Sequence, residues 1–215
     1  MVSRRRADGE ESMEIEAEAL AVERGGRIVV TNISFWLGAG EALAITGPNG
    51  AGKSSLLRAL AGLLPFAGGA IRTDPERERL AELCHYVGHA DALKPSLTIF
   101  ENLEFWAALL AGTEIEKRPD KIEAALAKLG LARIADLPCA YLSAGQRRRA
   151  ALARLAAIER PLWLLDEPST ALDAASQAAL GEMMKSHLSS GGMIIAATHA
   201  PLPVPARELA LGLTQ

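Results

Sequence analysis

The apolar run Ala42-Leu43-Ala44-Ile45-Thr46 leads straight into Gly47-Pro48-Asn49-Gly50-Ala51-Gly52-Lys53-Ser54, and that junction limits the chain to a narrow set of folds. An uninterrupted apolar run of this length suits a strand buried on both faces of a parallel sheet. The glycines after it let successive backbone N–H groups curl around an anion. A helix expected from Leu56 to Ala61, stopped at Gly62, points its positive end at the same place. Strand, glycine loop and helix in that order make a phosphate-binding loop. Gly47, Pro48, Asn49, Gly50, Ala51, Gly52 and Ser55 are read as its cradle. Lys53 supplies a mobile full charge to the β- and γ-phosphates of a nucleotide, and Ser54 places its hydroxyl oxygen for Mg²⁺.

A second apolar strand, Leu162-Trp163-Leu164-Leu165, ends in Asp166-Glu167. In open α/β sheets ligands bind at the carboxyl edge, so both carboxylates are expected there. Asp166 is read as the residue that holds Mg²⁺ through water, and Glu167 as the one that polarises the attacking water. Between the two motifs, Leu142-Ser143-Ala144-Gly145-Gln146 has capping-box form. Ser143 is therefore expected at a helix N-terminus whose exposed amides can take a phosphate.

These three segments in this order resemble the ATP-binding subunits of ABC transporters, and the resemblance runs from about Met13 to the end. It implies a P-loop NTPase core of the RecA-like type, with an N-terminal antiparallel β subdomain and an α-helical subdomain. ATP and Mg²⁺ are the implied cofactors. A chain with one phosphate loop and one Ser143 cap can complete its site only by pairing two copies, so a head-to-tail homodimer is expected. Ser143, Ala144, Gly145 and Gln146 of one copy would then cover the γ-phosphate held by the other. The resemblance also implies that Asp173, in Ser169-Thr170-Ala171-Leu172-Asp173, signals across the dimer. His199, after the strand Met193 to Ala197, would contact the γ-phosphate and, with Glu167 and Lys53, form the catalytic group.

The remaining pattern agrees with an α/β domain. From Met13 to Val22 apolar and acidic residues mostly alternate, and Gly25-Gly26 separates this run from Arg27-Ile28-Val29-Val30, which predicts a solvent-exposed antiparallel hairpin. From Ser96 to about Ile158 the periodicity is helical, giving a helical subdomain over roughly residues 90–158. Thr98-Ile99-Phe100-Glu101 has capping-box form, and Lys121 to Leu129 reads as a helix ended at Gly130. Ala174 to Leu188 reads as the crossover helix between two parallel strands. Phe100, Phe105 and Trp106 are candidates for docking a membrane subunit, although periodicity alone reads them as core.

At 215 residues and 49% hydrophobic, the chain supports one core: residues 1–12 as a polar tail and 13–215 as a single domain. The balance of 23 basic and 26 acidic residues does not ask for a nucleic-acid partner. Arg4-Arg5-Arg6 lies in the polar tail. No apolar run approaches the roughly 20 residues that span a bilayer, and none looks like a signal peptide, so a soluble, cytosolic chain is expected. Cys84 and Cys139 lack metal or haem-attachment spacing and are read as packed thiols.

Three positions depart from the wider family. His89, in Tyr86-Val87-Gly88-His89, stands where most cassettes carry a glutamine that senses Mg²⁺ and water. Arg24 stands where an aromatic residue usually stacks on adenine, and a guanidinium plane can stack on a purine as well. Ala144 replaces a glycine. With Leu142 to Arg149 and Pro161 to Glu167, these segments look like the subgroup that serves c-type cytochrome assembly as haem exporters. That implies docking on the cytoplasmic face of the inner membrane to CcmB-like and CcmC-like membrane subunits, with haem not bound by this chain itself. An exporter of lipid, drug or polysaccharide would share all the nucleotide chemistry, and a soluble non-transport cassette stays open as a more distant reading.

Overall fold

The computed structural model describes residues 13–74, 79–110 and 118–212. The polar tail with Arg4-Arg5-Arg6 lies outside them. The chain opens with β1 (Glu14–Arg24) and β2 (Arg27–Gly38), a hairpin turned by Gly25-Gly26, then β3 (Ala42–Thr46) and α1 (Lys53–Leu60). Next come β4 (Phe66–Asp74), a single turn α2 (Leu80–Leu83) and β5 (Cys84–Val87). Three helices follow: α3 (Ile99–Leu110), α4 (Arg118–Lys128) and α5 (Ala144–Ala157). The chain closes with β6 (Leu162–Asp166), α6 (Ala174–Ser189), β7 (Met193–Ala197) and β8 (Arg207–Ala210).

Two sheets result. One is antiparallel, in the order β2-β1-β4; the other has the order β5-β6-β7-β3-β8 and all its pairs are parallel. Alternation within the buried strands decides what each face meets. Leu162 and Leu164 of β6, with Met193, Ile195 and Ala197 of β7, pack on α1 and the antiparallel sheet. Trp163 and Leu165, with Ile194 and Ala196, face the opposite way, onto α5, α6 and the helical region. Helix α1 is thus enclosed by the two sheets, which holds the phosphate loop rigidly.

The predicted hairpin, the helix after the loop, the crossover helix and the strands at 162 and 193 are all present. Three strands are additional to the sequence reading. β4 contains Gly68-Gly69 and pairs with β1, β5 carries the buried polar His85, and β8 is an exposed edge. Thr98 and Glu101 form the predicted reciprocal cap, with Thr98 N–H donating to Glu101 Oε2 at 2.8 Å and Glu101 N–H to Thr98 Oγ1 at 3.1 Å. Phe105 and Leu109 are exposed, whereas Phe100 and Trp106 pack partly into the core, so this helix divides its aromatic residues between two environments. Both cysteines are buried and free.

Candidate functional site: a phosphate-loop cleft at the carboxyl edge

The carboxyl ends of β3, β6 and β7 lie side by side, and the loops leaving them enclose a cleft of about 520 Å³. The phosphate loop and the start of α1 contribute Asn49, Gly50, Gly52, Lys53, Ser54 and Ser55 to its wall. Asp166 and Glu167 enter from the end of β6, and His199 from just beyond β7. His89 arrives from the segment after β5, and Arg24 from the hairpin end. Residues separated by more than a hundred positions therefore share one cleft because parallel strands end at one edge.

Local geometry explains the loop's composition. Gly52 has φ +92°, and a Cβ there would lie 2.4 Å from Val30 Cγ2 and 2.6 Å from the Val29 carbonyl oxygen. No side chain caps α1, so its first amides face the cleft with the positive end of the helix behind them. Gly47 and Pro48 act through their carbonyls, which accept from Lys53 Nζ at 2.7 and 3.1 Å. Ala51 is buried in the core.

Lys53 Nζ also stands 3.2 Å from His199 Nε2. An ammonium has only donors, so this contact requires Nε2 to be the unprotonated ring nitrogen. Glu167 Oε1 lies 3.6 Å from the same nitrogen. Glu167 itself is strained, with φ +48°, and its N–H donates to the Ala197 carbonyl at 2.9 Å. Strain of this kind persists only where surrounding contacts over-determine it.

The residues proposed for a divalent cation fit one. Asp166 is 3% exposed, and its Oδ1 accepts from Ser54 Oγ at 3.1 Å. Its Oδ2 is buried with no partner among the described residues. An unpaired carboxylate oxygen beside a hydroxyl is the hard-oxygen donor set that Mg²⁺ takes, with phosphate oxygens and water completing the shell. No group of three or more His, Cys, Asp or Glu able to hold a metal occurs among the described residues, and a site shared with phosphates does not need one.

Eight candidate residues do not line this cleft: Gly47, Pro48 and Ala51 of the loop, and Ser143, Ala144, Gly145, Gln146 and Asp173. Ser143 caps α5, with Gln146 N–H donating to Ser143 Oγ at 3.2 Å and Ser143 N–H to Gln146 Oε1 at 2.8 Å. Ala144 is exposed, and Gly145 packs so that a Cβ would stand 3.1 Å from the Ala171 carbonyl oxygen. Asp173 is exposed and caps α6 through Ser176 N–H at 2.8 Å, and hydrogen bonding from Ser176, by its side chain first and its backbone second, holds the Asp173 carboxyl below the usual range. The two caps therefore lie together on a surface apart from the cleft.

Three cleft-associated residues had not been singled out from the sequence. Val29 and Thr170 line the cleft wall. Arg148, 5% exposed, reaches the backbone of both Asp166 and Glu167 from α5. Periodicity could have revealed it, because Arg148 shares its helix face with Ala151, Leu152 and Leu155, all buried.

Sheet order, phosphate loop and carboxylate pair define the class as that of the ABC ATPases, and residues 30–170 match the ABC transporter family. A solved ATP-binding subunit of an ABC transporter superposes with TM-score 0.77 at 26% identity, covering 86% of this chain and 79% of that one. A putative ABC transporter ATP-binding protein from Pyrococcus furiosus superposes with TM-score 0.79 at 21% identity, covering 92% and 97%, and shares the fold. Cytochrome c biogenesis ATP-binding export protein CcmA of Nitrobacter hamburgensis is 53% identical, over 94% of this chain and 100% of that protein. The proteins of the same name from Rhodopseudomonas palustris and Bradyrhizobium diazoefficiens are 52% and 50% identical, each over 93% of this chain and 98% of their own length. The chain belongs to the CcmA family of cytochrome c biogenesis ATP-binding export proteins.

Proposed function

We propose that this chain is the ATP-hydrolysing subunit of a transporter for c-type cytochrome assembly, and that hydrolysis drives haem export or release of a haem-carrying chaperone. The observation that carries the hydrolytic reading is the contact of Lys53 and Glu167 with one nitrogen of His199, at 3.2 and 3.6 Å, inside the phosphate-loop cleft. The names of the relatives supply the cytochrome c context and the direction of transport. Among the described residues no helix is long and apolar enough to cross a membrane, which agrees with a peripheral subunit on the cytoplasmic face of the inner membrane.

In this reading the amides of Gly50 to Ser55 hold the phosphates, and Lys53 turns from its own loop's carbonyls to the β- and γ-oxygens. Ser54 and Asp166 would hold Mg²⁺, which neutralises phosphate charge when it is bound with the nucleotide. Glu167 accepts a hydrogen bond from the attacking water and aligns it. Once Lys53 has moved away, Nε2 of His199 carries the ring proton, from which it donates to the γ-phosphate beside Glu167. Arg24 lies flat on the adenine, and His89 orients water opposite Glu167. Most of the acceleration comes from positioning and charge stabilisation.

Because Ser143, Gly145 and Asp173 lie outside the cleft, the γ-phosphate is enclosed by a second copy joined head to tail. Ala144 and Gln146 complete that contact. CcmB-like and CcmC-like membrane subunits dock on the helical region, where Phe105 and Leu109 are exposed, and haem passes through those partners. The test is a mild-detergent pull-down of tagged protein from its own membranes, with partners identified by mass spectrometry and pigment read by absorbance. Haem-handling membrane subunits are expected. Recovery of an unrelated permease would overturn the haem assignment and leave the nucleotide site standing.

A further inference from the structure

We propose that Arg148 is a positioning residue for hydrolysis: one guanidinium on α5 sets the backbone of Glu167 against the segment that carries His89. Its Nη2 donates to the Asp166 carbonyl at 2.8 Å and to the Glu167 carbonyl at 2.7 Å. Its Nη1 donates to the Gly88 carbonyl at 2.8 Å and faces Asp91 Oδ1 at 3.4 Å. A single planar group thus joins both sides of the cleft from behind.

A buried cation is costly, and a hydrophobic side chain of similar volume often stabilises a core as well or better. Arg148 is nevertheless buried, on one helix face with the buried Ala151, Leu152 and Leu155, and its Nε has no partner among the described residues. What it gives that a methionine could not is a rigid fork matched to several oxygens at once. The oxygens it selects are the backbone carbonyls next to the three side chains that line the cleft from this direction, Asp166, Glu167 and His89. The left-handed conformation of Glu167 needs tethers on both sides of the residue. Ala197 supplies one through the Glu167 N–H, and Arg148 supplies the other through its carbonyl.

The same helix begins at the Ser143 cap, and a neighbouring arrangement extends the link toward α3. Arg154 donates to the Tyr86 carbonyl and stacks on Trp106 with its guanidinium carbon 4.7 Å from the ring centroid. Trp106 Nε1 donates to the Ala92 carbonyl at 3.2 Å. The segment from Tyr86 to Ala92 therefore hangs by its carbonyls from α5 and α3, and Arg148 carries its position on to Glu167. A displacement of that segment or of α5 changes where the water-aligning carboxylate stands without touching the phosphate loop.

The inference rests on the assignment of Glu167 as the residue that aligns water. The test uses the intact chain and compares R148K, R148Q, D91A and E167Q with wild type in three measurements: steady-state turnover, affinity for a fluorescent ATP analogue, and thermal melting. R148K keeps the charge but cannot hold carbonyls on both segments, so its kcat is expected to fall ten-fold or more. R148Q, with a shorter amide, is expected to do the same. Analogue affinity should stay within two-fold of wild type for both, with cooperative melting retained. D91A removes an outer partner and should lower kcat a few-fold at unchanged affinity. Wild-type turnover in folded R148K, or a loss of affinity in parallel with turnover, overturns the proposal. If neither Arg148 variant folds, wild-type turnover in D91A overturns it. Normal turnover in E167Q would instead remove the underlying assignment of Glu167.

Discussion

Replacing Asp166 by asparagine should stabilise the nucleotide-free protein while destroying its response to Mg²⁺ and ATP. The carboxylate is 3% exposed, receives one hydrogen bond from Ser54 and leaves Oδ2 unpartnered. Leaving a buried acceptor unsatisfied costs about 1–3 kcal/mol, more when it is charged. The neutral isostere keeps the Ser54 contact through its carbonyl oxygen and puts an equally unpartnered Nδ2 where Oδ2 stood, so it relieves the charge but not the missing partner. A gain of about 1 kcal/mol is expected, which for a domain of this size is roughly 2–4 °C in Tm. Saturating nucleotide acts in the opposite sense, since ligand at a hundred times its Kd stabilises the folded state by about 2.7 kcal/mol. Scanning calorimetry in chelator should therefore show D166N melting above wild type. In excess Mg²⁺ and ATP the order should reverse, because the variant lacks the cation ligand. A variant that melts below wild type in chelator would refute the reasoning, because the carboxylate would then be a satisfied structural group instead of one held ready for a cation.

E167Q should bind ATP within a few-fold of wild type, yet lose about 10²-fold or more in turnover, the usual scale for a general base; near-normal phosphate release would exclude the role. G52A forces a side chain into φ +92° against Val30 and the Val29 carbonyl. It should lose at least about 1–2 kcal/mol in chemical denaturation and lose ATP affinity as well, and a wild-type midpoint would contradict the geometry. Burial pushes His85 down to about 3, against 6.5 for the exposed group, so between those values the unfolded chain binds the extra proton and stability falls as pH falls. From pH 7 to pH 5 this group should cost about 2 kcal/mol. H85Q can keep a donor to the Ile158 carbonyl and should show a correspondingly flatter pH profile of urea stability; an unchanged slope would rule His85 out as the cause.

The elements most readable from the sequence were those whose physics is local. β6 and β7 are uniformly apolar because both faces are covered, and Ser143 marks a helix start through its own side-chain chemistry. β4 was missed because Gly68-Gly69 and Arg72 break any apolar alternation; its pairing with β1 comes from partners more than forty positions away in the chain. β5 hides a buried histidine satisfied by the distant Ile158 carbonyl, and β8 is an exposed edge held by Thr46 and Glu41 through Glu208 and Arg207. Most of the side chains that share the cleft were legible by motif. Arg148 was not, since a run of three arginines reads as a solvated helix face until the buried stripe through Ala151 and Leu155 is traced.

The order of the parallel sheet has a consequence for how the chain is made. β3 lies between β7 and β8, so both of its neighbours come from the last part of the polypeptide. During synthesis this apolar strand emerges early and then waits for roughly 150 further residues, on the order of 8–30 s at ribosomal speeds of ~5–20 residues per second. Throughout that interval it has two open edges, the condition under which nascent chains aggregate or recruit chaperones. Lys53, Glu167 and His199 likewise meet only after β7 has docked, so an unfinished chain cannot bring these three side chains together in the cleft.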